Sequence, residues 1–377
     1  MASQRVTPTQ HSIYAPLRYE VTRPFAVMVG TSFSVRGQGS LKKRHQYLVS
    51  ELMPQIQYAM ASLGTQPGPG PGQAEIANIQ VFGGFLRGGR VIYDFHKQLT
   101  TALLSTDIDS IPVSAIPRPS QSLYIHFGLP DGSPDEKQSP EGAFVSWEDM
   151  PDEPARMMVD FTTRNQFDEV IFWHKESGDP MTGVTIDVSD SSKGIVQAME
   201  DSVEAIVAQN EKFLEQQKTM EAEMIEKYGE IFSIPSPITN LRADLPLLRI
   251  GIALVVNCLL FLGAAPEDVS ERWDDRAPAD LVHQAEHGEK PGTRKTAERT
   301  LSNRDYLKVR LAGHQFAESV AGSWQDDTGR SVVTHFRRGH FRNQAHGPEH
   351  SLRKLVFIPP VVVNPGQGDA PGRIYEA

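Results

Sequence analysis

The sequence predicts an α+β protein: an antiparallel sheet with packed helices, one long acidic helix, one buried apolar helix and a C-terminal basic β-hairpin. Three observations lead there. Short apolar stretches between residues 122 and 188 are separated by Gly, Pro and Asp turns at hairpin distances. A long helical pattern follows, and after it the most hydrophobic run of the chain, Leu245 to Ala265. The closing residues then concentrate positive charge in a chain whose formal charge is -10.

At 377 residues the natural expectation is two domains, each able to bury a core. The expected divisions are a flexible tail over 1–23 and an α/β domain with the antiparallel sheet over 24–190. The long and buried helices follow over 191–264, then a C-terminal region with a charged loop and the basic hairpin over 265–377. The N-terminus, MASQRVTPTQHSIYAP, lacks the apolar core of a signal peptide, so a cytoplasmic address is expected. The lone Cys258 excludes a disulfide framework and a thiolate metal site.

In chain order, PFAVMVGTSF from Pro24 reads as a strand. From Ser40 to Gly64, Leu41, Tyr47, Leu48, Leu52, Ile56 and Met60 recur at helical spacing, with a kink expected at Pro54. The prolines and glycines of Thr65 to Gln73 make a loop. AEIANIQVFGGFL and RVIYDFHKQLTTALLS read as a helical hairpin about a glycine-rich break. Its glycines, Gly83 to Gly89, do not have the dinucleotide-binding spacing. Ser122–Leu129, Gly142–Trp147, Ala155–Thr163, Glu169–Glu176 and Gly183–Val188 read as strands. From Ser191 to Glu230, Ile195, Met199, Val203, Ile206, Phe213, Met220, Met224 and Tyr228 form an apolar stripe, and the acidic remainder is a solvated face.

In the run from Leu245, Arg249 and Asn257 interrupt the apolar residues. The stretch Ile250 to Leu262 falls short of the roughly 20 residues of a membrane span. It reads as a core helix. After Ala264 the charged stretch predicts a partly ordered loop with short helices. Tyr306–Gly313, Arg330–Arg337 and Lys354–Val363 are strand-like. The last two make a hairpin around a polar loop at Asn343 to Glu349.

No phosphate-binding loop, nucleophile elbow, H-E-x-x-H or C-x-x-C motif occurs, and no cofactor is expected. The chemistry concentrates in the hairpin. It carries Arg337, Arg338, Arg342, Arg353 and Lys354 with His335, His340, His346 and His350, against Glu349 alone. Cations this dense repel one another unless an anionic partner offsets them. Interleaved arginines disfavour a divalent metal among the histidines. Plain phosphate binding needs fewer assumptions than a ribonuclease with His335, His340 and Arg338 as its machinery, because no partner carboxylate is recognisable. Phe336, Phe341 and Phe357 alternate with the charges, so they read as the hairpin's inner face. His126, His174, Trp147 and Trp173 read as packing residues.

His335, Arg337, Arg338, Gly339, His340, Gly347, Arg353, Pro360, Val363 and Asn364 together resemble the C-terminal signature of a family of type V-A anti-CRISPR proteins. These are the members that suppress biogenesis of the effector nuclease. The buried helix running into Ala264–Val269, the Tyr306–Gly313 segment and the Ser122 strand are similar in order and spacing. The resemblance implies a phage or plasmid protein that recognises the N-terminal part of the nascent effector polypeptide and causes loss of its messenger RNA during translation. The implied partners are a nascent peptide of a CRISPR effector or similar protein, and the ribosome or RNA through the hairpin. No membrane is implied. The candidate binding residues are His335, Arg337, Arg338, Gly339, His340, Arg342, Gly347, Arg353 and Lys354. An RNA-binding ribonuclease or toxin-like enzyme is the alternative, and a structural or virion-associated protein a third reading.

Overall fold

Glycine and a left-handed residue start the sheet. The computed structural model describes residues 12–19, 81–86, 88–127, 140–149, 154–164, 170–172, 183–229, 241–323 and 335–363. The strand expected from Pro24, the helix from Ser40 and the loop at Thr65–Gln73 lie outside them. The helix at 81–86 ends in a turn where Gly89 has φ +93° and Arg90 φ +59°. Arg90 is held there by Asp305 at 2.6 Å. The chain leaves this turn as a strand, β1 (Val91–Phe95), and only then enters helix α2 (Lys97–Leu104). The second helix expected from Arg90 to Ser105 is therefore half strand. The stretch Val-Ile-Tyr-Asp-Phe is β-branched and aromatic, and His96 caps the helix by accepting the Gln98 N–H.

Strands β3 (Ser122–His126), β4 (Gly142–Glu148), β5 (Arg156–Arg164), β6 (Val170–Phe172) and β7 (Gly183–Asp187) form the expected antiparallel run. β7 and β6 share one edge of β5, the first along Arg156–Asp160 and the second along Thr162–Arg164. β1 extends this run by pairing parallel to β3. On its other side β1 pairs parallel with β9 (Lys308–Ala312), which pairs antiparallel with β8 (Val269–Trp273). The sheet has 8 strands in the order β6-β5-β4-β3-β1-β9-β8, with β7 also on β5. The α+β class holds, while the sheet is mixed at its centre. Strands from the expected 24–190 and 265–377 regions share this one sheet.

One face of the sheet is covered by α3 (Ile195–Tyr228) and α4 (Leu241–Ala264). Ile195, Ala198, Met199 and Val203 at the start of α3 are buried, whereas its charged residues beyond Glu204 are mostly exposed. The first half of the expected stripe packs. The side chains of Phe213, Met220, Met224 and Tyr228 lie outside the described residues. α4 is long and apolar enough to cross a membrane by length and composition, but 67% of its apolar window is buried inside the protein. The two residues that interrupt its apolar run are both engaged. Arg249 forks onto the Glu200 carboxylate of α3 at 2.9 and 3.1 Å. Asn257, 1% exposed, donates from Nδ2 to the carbonyls of Leu103 (2.9 Å) and Thr106 (3.3 Å). Cys258 is buried too, and burial pushes its thiol up.

The opposite face meets the N-terminus. Residues 12–19, expected as a flexible tail, include a short helix, α1 (Ala15–Tyr19), with Tyr14 and Leu17 buried. Polar contacts hold it. Tyr14 donates to Asp94 at 2.8 Å, and Arg272 of β8 donates to both the Tyr14 oxygen and Asp94. Ser12 donates to Asp275 at 2.6 Å, and Arg18 pairs with Glu141. Burial, and then the Asp94 carboxylate, push the Tyr14 phenol well above its ordinary range. The charged stretch after Ala264 is more ordered than expected. It contains β8 and two helices, α5 (Ala279–His287) and α6 (Pro291–Asn303), which close around Trp273, Ala285, Ala297 and Leu301. β9 runs into α7 (His314–Ser323), whose first N–H groups at Gln315 and Phe316 are capped by Asp268.

Asn257→Ala removes two buried hydrogen bonds and leaves two carbonyls facing the apolar helix. Its expected cost is about 2 kcal/mol or more, measured as a lower denaturant midpoint with an unchanged slope.

Candidate functional site

The residues from His335 to Val363 form one hairpin in two segments. β10 (His335–Arg337) pairs with β13 (Val361–Val363), and β11 (Gly339–His346) with β12 (Leu352–Ile358). The register runs unchanged through both: His335 faces Val363, Arg337 faces Val361, His340 faces Ile358 and His346 faces Leu352. Pro359 and Pro360 fall between the segments, where proline has no N–H to give the ladder. The expected polar loop at Asn343 to Glu349 is shorter. Asn343, Gln344, Ala345 and His346 stay in the strand, because their backbone groups are paired and their side chains reach water. The turn occupies Gly347 to Ser351. Gly347 has φ +76° and ψ -176°, a region essentially limited to glycine.

Gly339 is equally structural. A Cβ there would lie 2.7 Å from Thr106 Oγ1 and 2.9 Å from Pro360 Cδ. This close approach lets β11 pair parallel with β2 (Thr106–Asp107), Gly339 against Thr106 and His340 against Asp107.

Alternation sorts the side chains. Phe341, Leu355 and Phe357 turn inward and join the core, with Phe357 5.5 Å from the Phe261 ring of α4 and 6.0 Å from Phe316 of α7. The inner-face expectation therefore holds for Phe341 and Phe357. The opposite face carries His340, Arg342, Gln344 and His346 on β11, and Leu352, Lys354, Val356 and Ile358 on β12. Arg342 faces Val356 and Gln344 faces Lys354, so Arg342 and Lys354 are diagonal neighbours. Both are exposed. Arg353 is exposed on the other face near the tip, and Arg338 is exposed at the break between segments. The side chains of His335, Phe336 and Arg337 lie outside the described residues.

Among the described residues, no ion pair or hydrogen bond engages the side chains of Arg342, Arg353 or Lys354. The acids nearest in sequence or register are Glu349 in the turn and Asp107 beside His340. Among the described residues, no group of three or more His, Cys, Asp and Glu could hold a metal ion. Other histidines pack: His126 lies edge-on to Tyr14 at 5.3 Å. The hairpin thus collects Arg342 and Lys354 on one face with His340 and His346, leaves Arg353 on the other, and gives Gly339 and Gly347 backbone roles. Sequence reasoning did not single out Gln344, Val356 and Ile358, whose place on the outward face follows from counting twos along each strand from Phe341 and Phe357.

Residues 93–365 match the AcrVA2-like family, described as the anti-CRISPR type V subtype A2 family. The chain belongs to this family. The match begins in β1 and runs past β13, so it spans most of the sheet, both long helices and the whole hairpin. The anti-CRISPR family expected from the hairpin residues is the one found, and membership gives the chain an anti-CRISPR function. A solved structure described as the crystal structure of AcrVA2 superposes with a TM-score of 0.43 at 13% identity, covering 90% of this chain and 98% of that one. No curated protein matches the chain.

Two substitutions within the hairpin separate shape from charge. Gly339→Ala drives a methyl group into Thr106 and Pro360 and is expected to destabilise the fold by about 1–3 kcal/mol. Arg342→Ala is expected to stay within about 0.5 kcal/mol of the parent. Thermal or denaturant unfolding of the two variants side by side tests this, and equal losses would contradict it.

Proposed function

We propose that this protein is an anti-CRISPR inhibitor of a phage or plasmid that acts in the bacterial cytoplasm on the production of a defence nuclease. It recognises the nascent polypeptide of that nuclease on the translating ribosome and lowers its output. The observation that carries the reading is a sheet edge, the outer side of β8, that is unpaired among the described residues. Asp274 N–H donates to the Leu307 carbonyl, and Gly313 N–H to the Asp268 carbonyl. In an antiparallel ladder this pattern turns the N–H and C=O groups of Val269, Glu271 and Trp273 away from β9. Among the described residues no strand pairs with that side of β8. An extended peptide adds to such an edge through its main chain, with side-chain contacts supplying choice. Ser270 and Arg272 flank the edge on one face, Glu271 and Trp273 on the other. A polypeptide leaving the ribosome is extended and unpaired, which suits this mode. The hairpin cations supply a second contact, to the ribosome or its RNA, and two weak contacts on one assembly reinforce each other.

The determinant is then the encoded peptide. Synonymous recoding of the target's first codons is expected to leave suppression intact, and a frame shift that keeps nearly every nucleotide is expected to abolish it. Reporter protein and message levels in cells read both, and the reverse pattern would mean that RNA sequence is what is recognised.

One observation favours a second reading, an RNA-cleaving enzyme. β2 sets Asp107 in register with His340, a carboxylate neighbour that spacing along the chain does not reveal. No hydrogen bond or ion pair joins the two side chains. The purified protein is expected not to cleave RNA, with or without added zinc or magnesium. Multiple-turnover cleavage that disappears in His340→Ala would establish the enzyme instead.

A further inference from the structure

The outward face of the hairpin has two unlike halves. On β11, His340, Arg342, Gln344 and His346 form a row in which every side chain can donate a hydrogen bond. Successive members are two residues apart, about 6.8 Å along the strand. On β12, about 4.8 Å to the side, Leu352, Val356 and Ile358 form an aliphatic row broken only by Lys354. Leu352 is 53% exposed. No aromatic ring of β11 or β12 faces outward, since Phe341 and Phe357 point into the core. Asp107 lies beside the His340 end of the row and Glu349 beyond its far end, so the cationic stretch is the middle, around Arg342 and Lys354.

From this arrangement we infer that the hairpin binds single-stranded RNA lengthwise, phosphates along the donor row and bases and riboses over the aliphatic row. The inference deepens the proposed function and takes from it only that the hairpin meets RNA; peptide capture plays no part. A repeating polyanion fits a repeating row of donors. The chain as a whole carries -10, so attraction to an anion depends on local clusters of cations, and Arg342 and Lys354 form one here. The aliphatic row favours a single strand over a duplex, because a duplex buries its bases and presents phosphates alone. An acidic polypeptide would satisfy the cations, but its charged side chains would also fall on Val356 and Ile358. Without rings to stack on, binding is weak, tolerant of sequence and governed by salt.

The test uses the full-length protein with a labelled single-stranded RNA of mixed sequence, about 12 nucleotides long. The same RNA annealed to its complement is the second probe, and poly-glutamate is the competitor. Tighter binding to the single strand is expected, with a log–log salt slope of about -2 for some three phosphate contacts. Arg342→Gln is expected to reduce that slope by about 1. Val356→Ser is expected to weaken single-strand binding and leave the slope alone. Melting temperatures equal to the parent's confirm that the substitutions at exposed Arg342 and half-buried Val356 leave the fold intact, and Lys354→Gln repeats the slope test at an independent position. Equal or tighter duplex binding, a slope near zero, or a slope unmoved by both Arg342→Gln and Lys354→Gln would each overturn the inference. Displacement of RNA by poly-glutamate at matched charge would assign the face to an acidic protein partner. Because no nascent peptide is present, failure here leaves the recoding result untouched, and the converse also holds.

Discussion

The corner between α2 and β2 is the joint on which the arrangement turns. Asn257 reaches from the middle of a buried apolar helix to hold the Leu103 and Thr106 carbonyls, and the Thr106 hydroxyl donates to Ala102 at 2.8 Å. The backbone at Thr106 then pairs with Gly339, so the hairpin takes its direction from a strand of two residues that α4 fixes. A buried amide in such a helix costs stability unless it is bonded. Here its two N–H donors serve one carbonyl at the end of α2, Leu103, and one in β2, Thr106. The Asn257 Oδ1 has no partner among the described residues, so the arrangement keeps part of that cost. Geometry, not maximal stability, is what the asparagine supplies.

Apolar contacts complete what the corner begins. Phe95, Phe261, Phe357 and Phe341 follow one another from the central strand through α4 to the hairpin, at ring separations of 6.3, 5.5 and 5.1 Å. Edge-on and tilted ring pairs add about 0.5–1.5 kcal/mol each beyond the burial of their area. The hairpin is thereby divided along its length. Its base belongs to the core, and its distal half carries charge where solvent screens self-repulsion. Arg342 and Phe341 are neighbours in sequence and have nothing in common in environment.

The opposite end of the molecule is closed by the reverse strategy. The segment over 12–19 buries Tyr14 and Leu17, but its position is set by carboxylates: Asp94 and Asp275 accept from Tyr14 and Ser12, and Glu141 pairs with Arg18. These acids come from β1, the loop before β4 and the turn after β8. The contact therefore ties together strands far apart in sequence, including β8, whose outer edge pairs with no strand among the described residues.

Local pattern was enough for the elements whose signal is periodic. Antiparallel β3–β5 and β7, the apolar core helix, the start of α3 and the inward phenylalanines of the hairpin all follow from alternation or helical spacing, which are properties of neighbouring residues. The anti-CRISPR family expected from the sequence is the one that residues 93–365 match. Elements defined by distant partners were not legible. Val91–Phe95 became a strand because β3 and β9 flank it, and Val269–Trp273, rich in charge, became one because β9 offered an edge. Residues 12–19 became ordered because their carboxylate partners come from elsewhere. In the candidate site, the sequence by itself determined that cations and histidines crowd one short segment. Only the tertiary structure decided which of them share a face. It also decided that Gly339 and Gly347 shape the hairpin, through contact with Thr106 and Pro360 and through a backbone angle that only glycine tolerates. Charge and hydropathy are written residue by residue, whereas a face, an edge or a close approach exists only once distant segments have met.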